Sequence, residues 1–367
     1  MDIKYPVYQP SLKGNELKYV TDCVESTWIS SKGKYIAEFE IKFAEYLQAN
    51  YATSVCNGTV ALHLALLVLD IKPGDEVIVP TFTYIASVNS ITYVGATPVF
   101  VDSLPLTWQM DCLEVERKIT SKTKAIMAPH LYGQPCDIDA LLDICHRHNL
   151  FLIEDCAEAI GSKYNNRHVG TFGDIAAYSF FGNKTITTGE GGMVVSSSKE
   201  LIDRARNIKN QGISDLLYWH DAIGYNYRMT NICAAIGVAQ LERIDEIMAN
   251  KIRIAEGYRA AFKNTSLEFH GQADNTFNSY WMCSVLLPNA GQRDELRSFL
   301  SQRGIETRPL FYPVHTMPVY SKFATGEFPI GTNISSRGIN LPSYPDLSDE
   351  DVRYIATQTL DFFTQNE

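Results

Sequence analysis

A lysine followed by a glycine-rich turn is the feature of this sequence with the clearest chemical potential. Residues 178–193 read Tyr-Ser-Phe-Phe-Gly-Asn-Lys-Thr-Ile-Thr-Thr-Gly-Glu-Gly-Gly-Met, in which the lysine is Lys184. Apolar runs on either side predict two buried strands, so the amine would lie at the mouth of a sheet. An amine in a partly dry pocket loses its proton more easily and becomes a nucleophile for carbonyl groups. A surface lysine in a polar turn, the commonest situation of this residue, fits the same stretch.

A second candidate is the start of a helix at Asn57-Gly58-Thr59, which follows a short predicted strand. Asn or Thr can cap the free N–H groups of the first turn. The glycine allows an anion to approach those groups, and the helix dipole favours negative charge there. The motif therefore suits a phosphate, although taken alone it is more typical of an ordinary capped helix.

Further polar and aromatic side chains follow other predicted strands. Tyr84 comes after one strand, Ser179 ends another, and Asp155 ends the most apolar one, residues 150–155. Open α/β sheets bind ligands at the carboxyl ends of their strands. Glu154 and Asp155 point to opposite faces, so only one can face a given ligand, and we favour Asp155. Tyr84 could instead pack at a helix start, and either acid could cap a helix or lie at the surface.

Strands and helices that alternate through residue 211 must position these side chains. This alternation predicts βα units and a mostly parallel sheet. We expect a large α/β domain over residues 1–250 and a smaller C-terminal α+β domain over 251–367. One long helix is predicted over residues 230–248. The aromatic loop at 212–229 fits ligand binding and subunit contact equally well.

The composition excludes several classes of protein. The 367-residue chain is 45% hydrophobic, which suffices for a large core, and its net charge is -10. An acidic chain without a run of Lys and Arg is a poor partner for nucleic acid or an anionic membrane. No apolar stretch approaches the roughly 20 residues needed to cross a bilayer. The first residues carry no secretion-signal pattern, so we expect a cytoplasmic protein.

The eight cysteines are scattered and form no C-x-x-C pair. That pattern is typical of a reduced cytosolic protein rather than a disulfide or zinc scaffold. Cys145, His146 and His148 lie close together, but a metal site needs more converging ligands than one helix end offers. No metal is expected.

The candidate features together match the needs of one cofactor, pyridoxal 5'-phosphate (PLP). PLP needs a lysine for its aldehyde, a carboxylate for its pyridine nitrogen, a contact for its ring face and an anion site for its phosphate. Lys184, Asp155, Tyr84 and the helix start at Gly58 provide these groups in order. Each signal is weak alone, and their occurrence together predicts a PLP enzyme.

The chain resembles the sugar aminotransferases of the DegT/DnrJ/StrS family over nearly its whole length. The resemblance implies the fold called PLP-dependent transferase fold type I. It rests on Asn-Gly-Thr at 57–59, Gly-Asp-Glu-Val-Ile-Val-Pro at 74–80, Glu-Asp-Cys-Ala-Glu-Ala at 154–159, the stretch 179–192 and Asn-Tyr-Arg-Met at 226–229. Within the family, the stretch 179–192 is most similar to the branch that acts on a GDP-linked sugar.

The resemblance also implies residue roles. Lys184 matches the lysine that bonds to the cofactor aldehyde and later carries the proton, and Asp155 matches the acid at the pyridine nitrogen. Tyr84 matches the stacking aromatic. Phosphate contacts are implied for Gly58, Thr59 and Ser179, and for Asn226 reaching over from a neighbouring subunit, which implies a homodimer with shared sites. Glu158 stands where many members have Gln or His, so its contact with the ring hydroxyl is less certain.

The implied reaction is transfer of the amino group of L-glutamate to C4 of GDP-4-dehydro-6-deoxy-D-mannose, a step towards a surface polysaccharide such as an O-antigen. Substrate contacts are expected from Ser30, Ser31, His220, Arg228 and His315. Positive charge near the site could come from Lys32, Lys34 and Arg308. A UDP- or dTDP-linked sugar is the main alternative. Two less favoured alternatives are a sugar dehydratase of the same fold and a PLP-binding regulatory protein. The dehydratase branch resembles this chain but has histidine in place of Lys184. A regulatory protein would need a DNA-binding module or a basic patch, and the sequence shows neither.

Overall fold

The computed structural model describes residues 3–216 and 218–364. Its helices are α1 Glu16–Glu25, α2 Lys34–Leu47, α3 Gly58–Val68, α4 Ile85–Tyr93, α5 Cys112–Arg117, α6 Ile138–His148, α7 Lys199–Lys209, α8 Asn231–Leu241, α9 Ile244–Phe262, α10 Arg293–Ser301, α11 Pro329–Arg337 and α12 Asp349–Thr364. Its strands are β1 Tyr51–Val55, β2 Glu76–Pro80, β3 Thr97–Val101, β4 Thr123–Pro129, β5 Phe151–Asp155, β6 Lys163–Tyr164, β7 Arg167–His168, β8 Ile175–Ser179, β9 Gly192–Ser196, β10 Glu268–Phe269, β11 Thr276–Phe277, β12 Cys283–Leu286, β13 Arg308–Pro309 and β14 Gly338–Leu341.

The central sheet has seven strands in the order β1-β9-β8-β5-β4-β2-β3. Strands β2, β3, β4, β5 and β8 run parallel, while β9 is antiparallel to both β1 and β8. All five residues of β8 are buried, as expected for a strand covered on both faces. The predicted α/β fold with a mostly parallel sheet is confirmed.

The parallel strands place the candidate chemistry at one edge of this sheet. Pro129 at the end of β4 pairs with Asp155 at the end of β5, and Asp155 pairs with Ala177 of β8. Because β9 reverses direction, the segment between β8 and β9 stays at this edge, and that segment contains Lys184. The carboxyl ends of the strands and the lysine therefore meet.

A second sheet, antiparallel and four-stranded in the order β10-β12-β14-β13, packs with α9, α10 and α12 around its own core. Helix α9 joins the two bodies, because Ile247 is buried in a core of the large body and Ile254 in that of the small one. Position 250, where the sequence predicts a domain boundary, lies inside this helix.

The single helix predicted over residues 230–248 is wrong, because α8 ends at Leu241 and α9 begins at Ile244. The N-terminal segment contacts both sides of the break. The Gln240 and Arg243 side chains both donate hydrogen bonds to the carbonyl of Ser11, at 2.9 and 3.2 Å. Local helical propensity is a weak guide where such long-range contacts are made.

The helices over residues 3–216 and 218–364 include none that combines the length and apolar character required to cross a membrane.

Candidate active site

A cavity of about 660 Å³ opens at the carboxyl edge of the central sheet. It brings together most of the side chains predicted to hold a cofactor, namely Gly58, Thr59, Tyr84, Asp155, Glu158, Ser179 and Lys184. The small body contributes further lining residues, which include Trp281, Arg308 and Phe311. The cavity therefore lies between the large sheet and the second body, in the position where folds of this class bind ligands.

Lys184 is held in the cavity through its backbone as well as its side chain. The Tyr8 hydroxyl donates a hydrogen bond to the Lys184 carbonyl, and the Trp281 indole N–H donates to the Asn183 carbonyl at 2.7 Å. The amine lies 4.0 Å from the centroid of the Trp281 ring, and the side chain is only 11% exposed. Burial lowers the pKa of this amine. Lys184 is therefore a covered amine and not a surface lysine.

Glu158 is the acidic neighbour of that amine. Its Oε1 lies 3.9 Å from the Lys184 Nζ, and its Oε2 accepts a hydrogen bond of 2.9 Å from the Tyr132 N–H. Tyr132 is fully buried and has a left-handed backbone, with φ of 56°, so the chain keeps a strained residue at this contact. Burial raises the pKa of Glu158 to about 7. The carboxyl can therefore hold or release a proton near neutral pH beside the amine.

Asp155 is a buried carboxylate that faces the same cavity. Its Oδ2 accepts a hydrogen bond of 2.7 Å from the Ser87 hydroxyl, and its Oδ1 accepts one of 3.1 Å from the Ala157 N–H. Burial raises the pKa of Asp155, and the bond from Ser87 opposes that rise. Among the described residues no cationic side chain forms an ion pair with it. A cationic ring nitrogen would supply the missing partner.

Glu154 points away from Asp155 and stabilises the loop at residues 170–173. It accepts backbone hydrogen bonds from Gly170 at 2.6 Å, Phe172 at 2.8 Å and Gly173 at 2.7 Å. His130 completes this set: its Nδ1 accepts from the Cys136 N–H, so its Nε2 carries the proton and donates to Glu154 at 3.2 Å. Glu154 is thus satisfied by protein groups.

The start of α3 forms an anion cradle. Asn57 caps the helix by accepting from the Val60 N–H at 3.0 Å, which leaves the N–H groups of Gly58 and Thr59 for a ligand. A Cβ at Gly58 would lie 2.6 Å from the Ser179 Cβ, so only glycine allows this close approach. The Ser179 side chain lines the cavity at the same place. Two free N–H groups and a hydroxyl at a helix N-terminus suit a phosphate.

Aromatic rings form another part of the wall. Tyr84 precedes α4 and is 54% exposed, with its ring centroid 5.4 Å from that of Phe311. Phe311 stacks on Tyr132 at 5.2 Å, and Tyr132 stacks on Trp281 at 6.0 Å. Aromatic faces of this kind can hold a flat ring.

These groups fit PLP. Lys184 would offer the aldehyde an amine whose pKa burial lowers, Asp155 a buried carboxylate without a cationic partner among the described residues, and α3 a helix N-terminus for the phosphate.

Six residues predicted from the sequence do not line this cavity of the single chain: Ser30, Ser31, His220, Asn226, Arg228 and His315. Arg228 donates to the Asn210 side chain at 2.7 Å, and His220 pairs with the Gln211 carbonyl at 2.9 Å. His315 pairs with the Thr81 hydroxyl at 2.7 Å. Their roles remain predictions, and for Asn226 the prediction requires a second subunit.

Sequence reasoning missed Ser87, Tyr132 and Trp281. Ser87 lies in the first turn of α4, three residues after Tyr84, and its place after strand β2 could have indicated it. Tyr132 and Trp281 come from irregular segments, and no local pattern indicates that their rings meet near Lys184.

The sequence is similar to known aminotransferases along nearly its whole length. The model of the DegT/DnrJ/EryC1/StrS aminotransferase family matches residues 10–359. The chain is 58% identical to the GDP-perosamine synthase of Escherichia coli O157:H7, over 99% of this chain and 100% of that protein. It is 54% identical to the GDP-perosamine synthase of Vibrio cholerae, over 98% and 99% of the two chains.

The fold agrees with this sequence similarity. A Streptococcus pneumoniae structure in its PLP form has a TM-score of 0.92 and 28% identity, with 97% of this chain and 98% of that one covered. From the family match along nearly the whole chain, the close relatives and the PLP-compatible cavity, we conclude that this chain belongs to the DegT/DnrJ/EryC1/StrS family of PLP-dependent sugar aminotransferases.

Proposed function

We propose that this aminotransferase transfers the amino group of L-glutamate to C4 of GDP-4-dehydro-6-deoxy-D-mannose and so forms GDP-perosamine. The observation that carries the proposal is the 58% identity to a GDP-perosamine synthase over the full length of both chains. Retention of Lys184, whose side chain is only 11% exposed in the cavity, supports amino transfer over the dehydratase alternative, in which histidine is expected at this position.

The residues of the cavity divide the chemistry among them. PLP, when bound, supplies an aldehyde that exchanges amines and a ring that accepts electrons. Lys184 would be the base that takes the proton from the α carbon of the donor and passes it to the bound cofactor, and its lowered pKa favours this step. In the second half-reaction the same amine would move a proton from the cofactor to the sugar carbon. Asp155 would hold a proton on the pyridine nitrogen, while Gly58, Thr59 and Ser179 would hold the phosphate. Glu158, when ionised, would place a negative charge 3.9 Å from the Lys184 amine.

The charge of the substrates supports this assignment as well. Glutamate and a nucleotide diphosphate are anions, whereas the whole chain has a net charge of -10. Arg308 lines the cavity, and its side chain is 45% exposed, so a guanidinium is accessible at the mouth. A local cation of this kind can bind a carboxylate or phosphate despite the global negative charge.

A competition assay tests the proposed substrate. GDP-, UDP- and dTDP-linked 4-keto-6-deoxy sugars would be offered with glutamate to the PLP-loaded enzyme, and kcat/KM measured for each. We expect the GDP sugar to have the highest value. A higher kcat/KM for a UDP or dTDP sugar would contradict the substrate while leaving the aminotransferase assignment in place.

We also propose that the enzyme is a homodimer with shared active sites. The segment around Asn226 exposes large apolar side chains: Leu216, Trp219 and Ile223 are 64%, 62% and 91% exposed. A cluster of this kind is typical of an interaction surface. A second copy seated on it would bring Asn226 to the phosphate cradle of its neighbour, as the family resemblance implies.

Hybrid dimers should recover activity if the sites are shared. Lys184→Ala and Asn226→Asp protomers are each expected to be inactive alone, but a mixed dimer has one site with both native residues. Since half of randomly mixed dimers are hybrids and each has one intact site, activity should reach roughly a quarter of the wild-type value. The measurement is turnover after denaturation and co-refolding at equal concentrations. Failure of the mixture to exceed either parent, or full activity of a monomer, would argue against shared sites.

The cytoplasm is the proposed site of action. All eight cysteines are free thiols, and five of them are buried, which suits a reducing compartment. The product would there serve as a precursor of a surface polysaccharide.

A further inference from the structure

Lys251 is a buried lysine that the chemistry above does not use. It lies on α9 and is 1% exposed. Its amine donates hydrogen bonds to the Trp281 carbonyl at 2.9 Å and to the Ser343 carbonyl at 2.7 Å. Within the described parts of the chain, no carboxylate forms an ion pair with it. Burial of an amine without an acidic partner costs free energy of folding. The groups that Lys251 contacts therefore indicate its role.

The two groups next to Lys251 are those that hold the backbone of the reactive lysine. Trp281, whose carbonyl Lys251 binds, donates its indole N–H to the Asn183 carbonyl at 2.7 Å. Tyr8, whose ring centroid lies 5.4 Å from the Lys251 amine, donates its hydroxyl to the Lys184 carbonyl. One ammonium therefore supports both side chains that bind the segment carrying Lys184.

Trp281 also depends on this support for its orientation. It follows Tyr280, which has a left-handed backbone with φ of 48°, so the chain around it is held in an uncommon conformation. The indole face lies 4.0 Å from the Lys184 amine and covers it. A shift of the Trp281 carbonyl would move the indole ring away from the Lys184 amine and would disturb its hydrogen bond to Asn183.

We infer that Lys251 is a positioning residue for the transamination reaction: through Trp281 and Tyr8 it fixes the Lys184 amine in its reactive place. Lys251 is not among the residues that line the cavity, so it acts through these two aromatic residues rather than on the substrate or cofactor itself. Its contribution is to the chemical step and not to substrate binding.

Lys251→Met tests this inference in the PLP-loaded enzyme. Methionine keeps most of the volume but removes both donors. We expect kcat to fall by about 10- to 100-fold, since a small misplacement of a reacting group has effects of this order. KM for glutamate and for the keto sugar should stay within about threefold. The pH titration of the visible absorbance of the bound cofactor, which reports on its bond to Lys184, should shift.

Tyr258→Phe is the matched control. Tyr258 lies on the same helix, is equally buried, and donates its hydroxyl at 2.9 Å to the Pro342 carbonyl, next to Ser343. Its loss should lower the melting temperature without changing kcat or the absorbance titration. If Lys251→Met behaves like Tyr258→Phe, with lower stability alone, Lys251 is only structural and the inference is overturned.

Two further variants test the route from Lys251 to Lys184, and they remain measurable if Lys251→Met does not fold. Trp281→Phe keeps a ring but removes the N–H bonded to Asn183, and Tyr8→Phe removes the hydroxyl bonded to Lys184. Each should lower kcat and shift the absorbance titration. With folded Lys251→Met, the combined effects should be less than additive. Unchanged kcat and titration in both would refute the inference. The glutamate half-reaction suffices as the assay, so the result is independent of which sugar is the acceptor.

Discussion

Replacement of Lys184 by alanine should reduce kcat by at least about 10⁴-fold, at the upper end of what one acid–base group contributes, because this amine also forms the covalent bond to the cofactor. The fold should survive. Among the described residues its side chain forms no hydrogen bond, and the bonds from Tyr8 to the Lys184 carbonyl and from Trp281 to the Asn183 carbonyl do not depend on the amine. PLP should still bind without a covalent bond, held by the cradle at Gly58 and by Asp155. Turnover and the rate of the glutamate half-reaction are the measurements.

Borohydride reduction of the wild-type enzyme provides the complementary test. The reduced cofactor should be recovered on the peptide that contains residue 184. Lys199→Ala is a suitable control, because that lysine is 69% exposed on α7 and, within the described part of the chain, forms an ion pair with Asp203 alone. This variant should retain both labelling and activity. A label on a peptide without residue 184 would show that another lysine carries the cofactor.

Asp155→Asn should slow both half-reactions by about 10- to 10³-fold while PLP remains bound. A nearby opposite charge shifts a pKa by roughly 1 to 3 units, and each unit corresponds to about 1.4 kcal/mol, or a factor of ten. The neutral amide removes this effect, so the ring nitrogen loses its proton at neutral pH and accepts electrons poorly. Asparagine can still accept the bond from Ser87, so the local geometry should persist. Single-turnover rates with glutamate are the measurement.

Asp102→Asn is the matched control for this change. Asp102 and Asp155 are each 7% exposed, but Asp102 accepts hydrogen bonds from Ile330 and Gly331, both at 2.8 Å, and does not line the cavity. The same substitution there should reduce stability and leave the half-reaction rate near the wild-type value. Near-normal rates for Asp155→Asn would mean that Asp155 has a structural role only.

The sequence predicts those parts of the fold and site that depend on local signals. Continuous apolar runs indicate the buried parallel strands, and Asp155 and Lys184 can be assigned to the ligand edge because each follows such a run. The helix start at Gly58 has its own capping pattern.

Features that depend on contacts between distant segments could not be predicted in this way. The break between α8 and α9 lies where side chains bond to Ser11, more than 200 residues away in the chain. Trp281 reaches Lys184 from an irregular segment of the second body, where no periodicity indicates its neighbour. The raised pKa of Glu158 results from burial, which the hydrogen bond from the Tyr132 N–H opposes, and both are tertiary properties.

The cover over Lys184 has a consequence for biosynthesis. All strands of the sheet that carries this lysine have been synthesised once the chain reaches Ser196, the end of β9. Lys251 and Trp281 leave the ribosome later. Chains grow at about 5 to 20 residues per second, so for several seconds the nascent sheet can form with its amine uncovered. A fully hydrated amine has its ordinary basicity, and the nascent chain is therefore a poorer carbonyl nucleophile than the finished one. We therefore expect cofactor capture to become efficient after the second body has docked, so that acquisition of PLP follows completion of the chain.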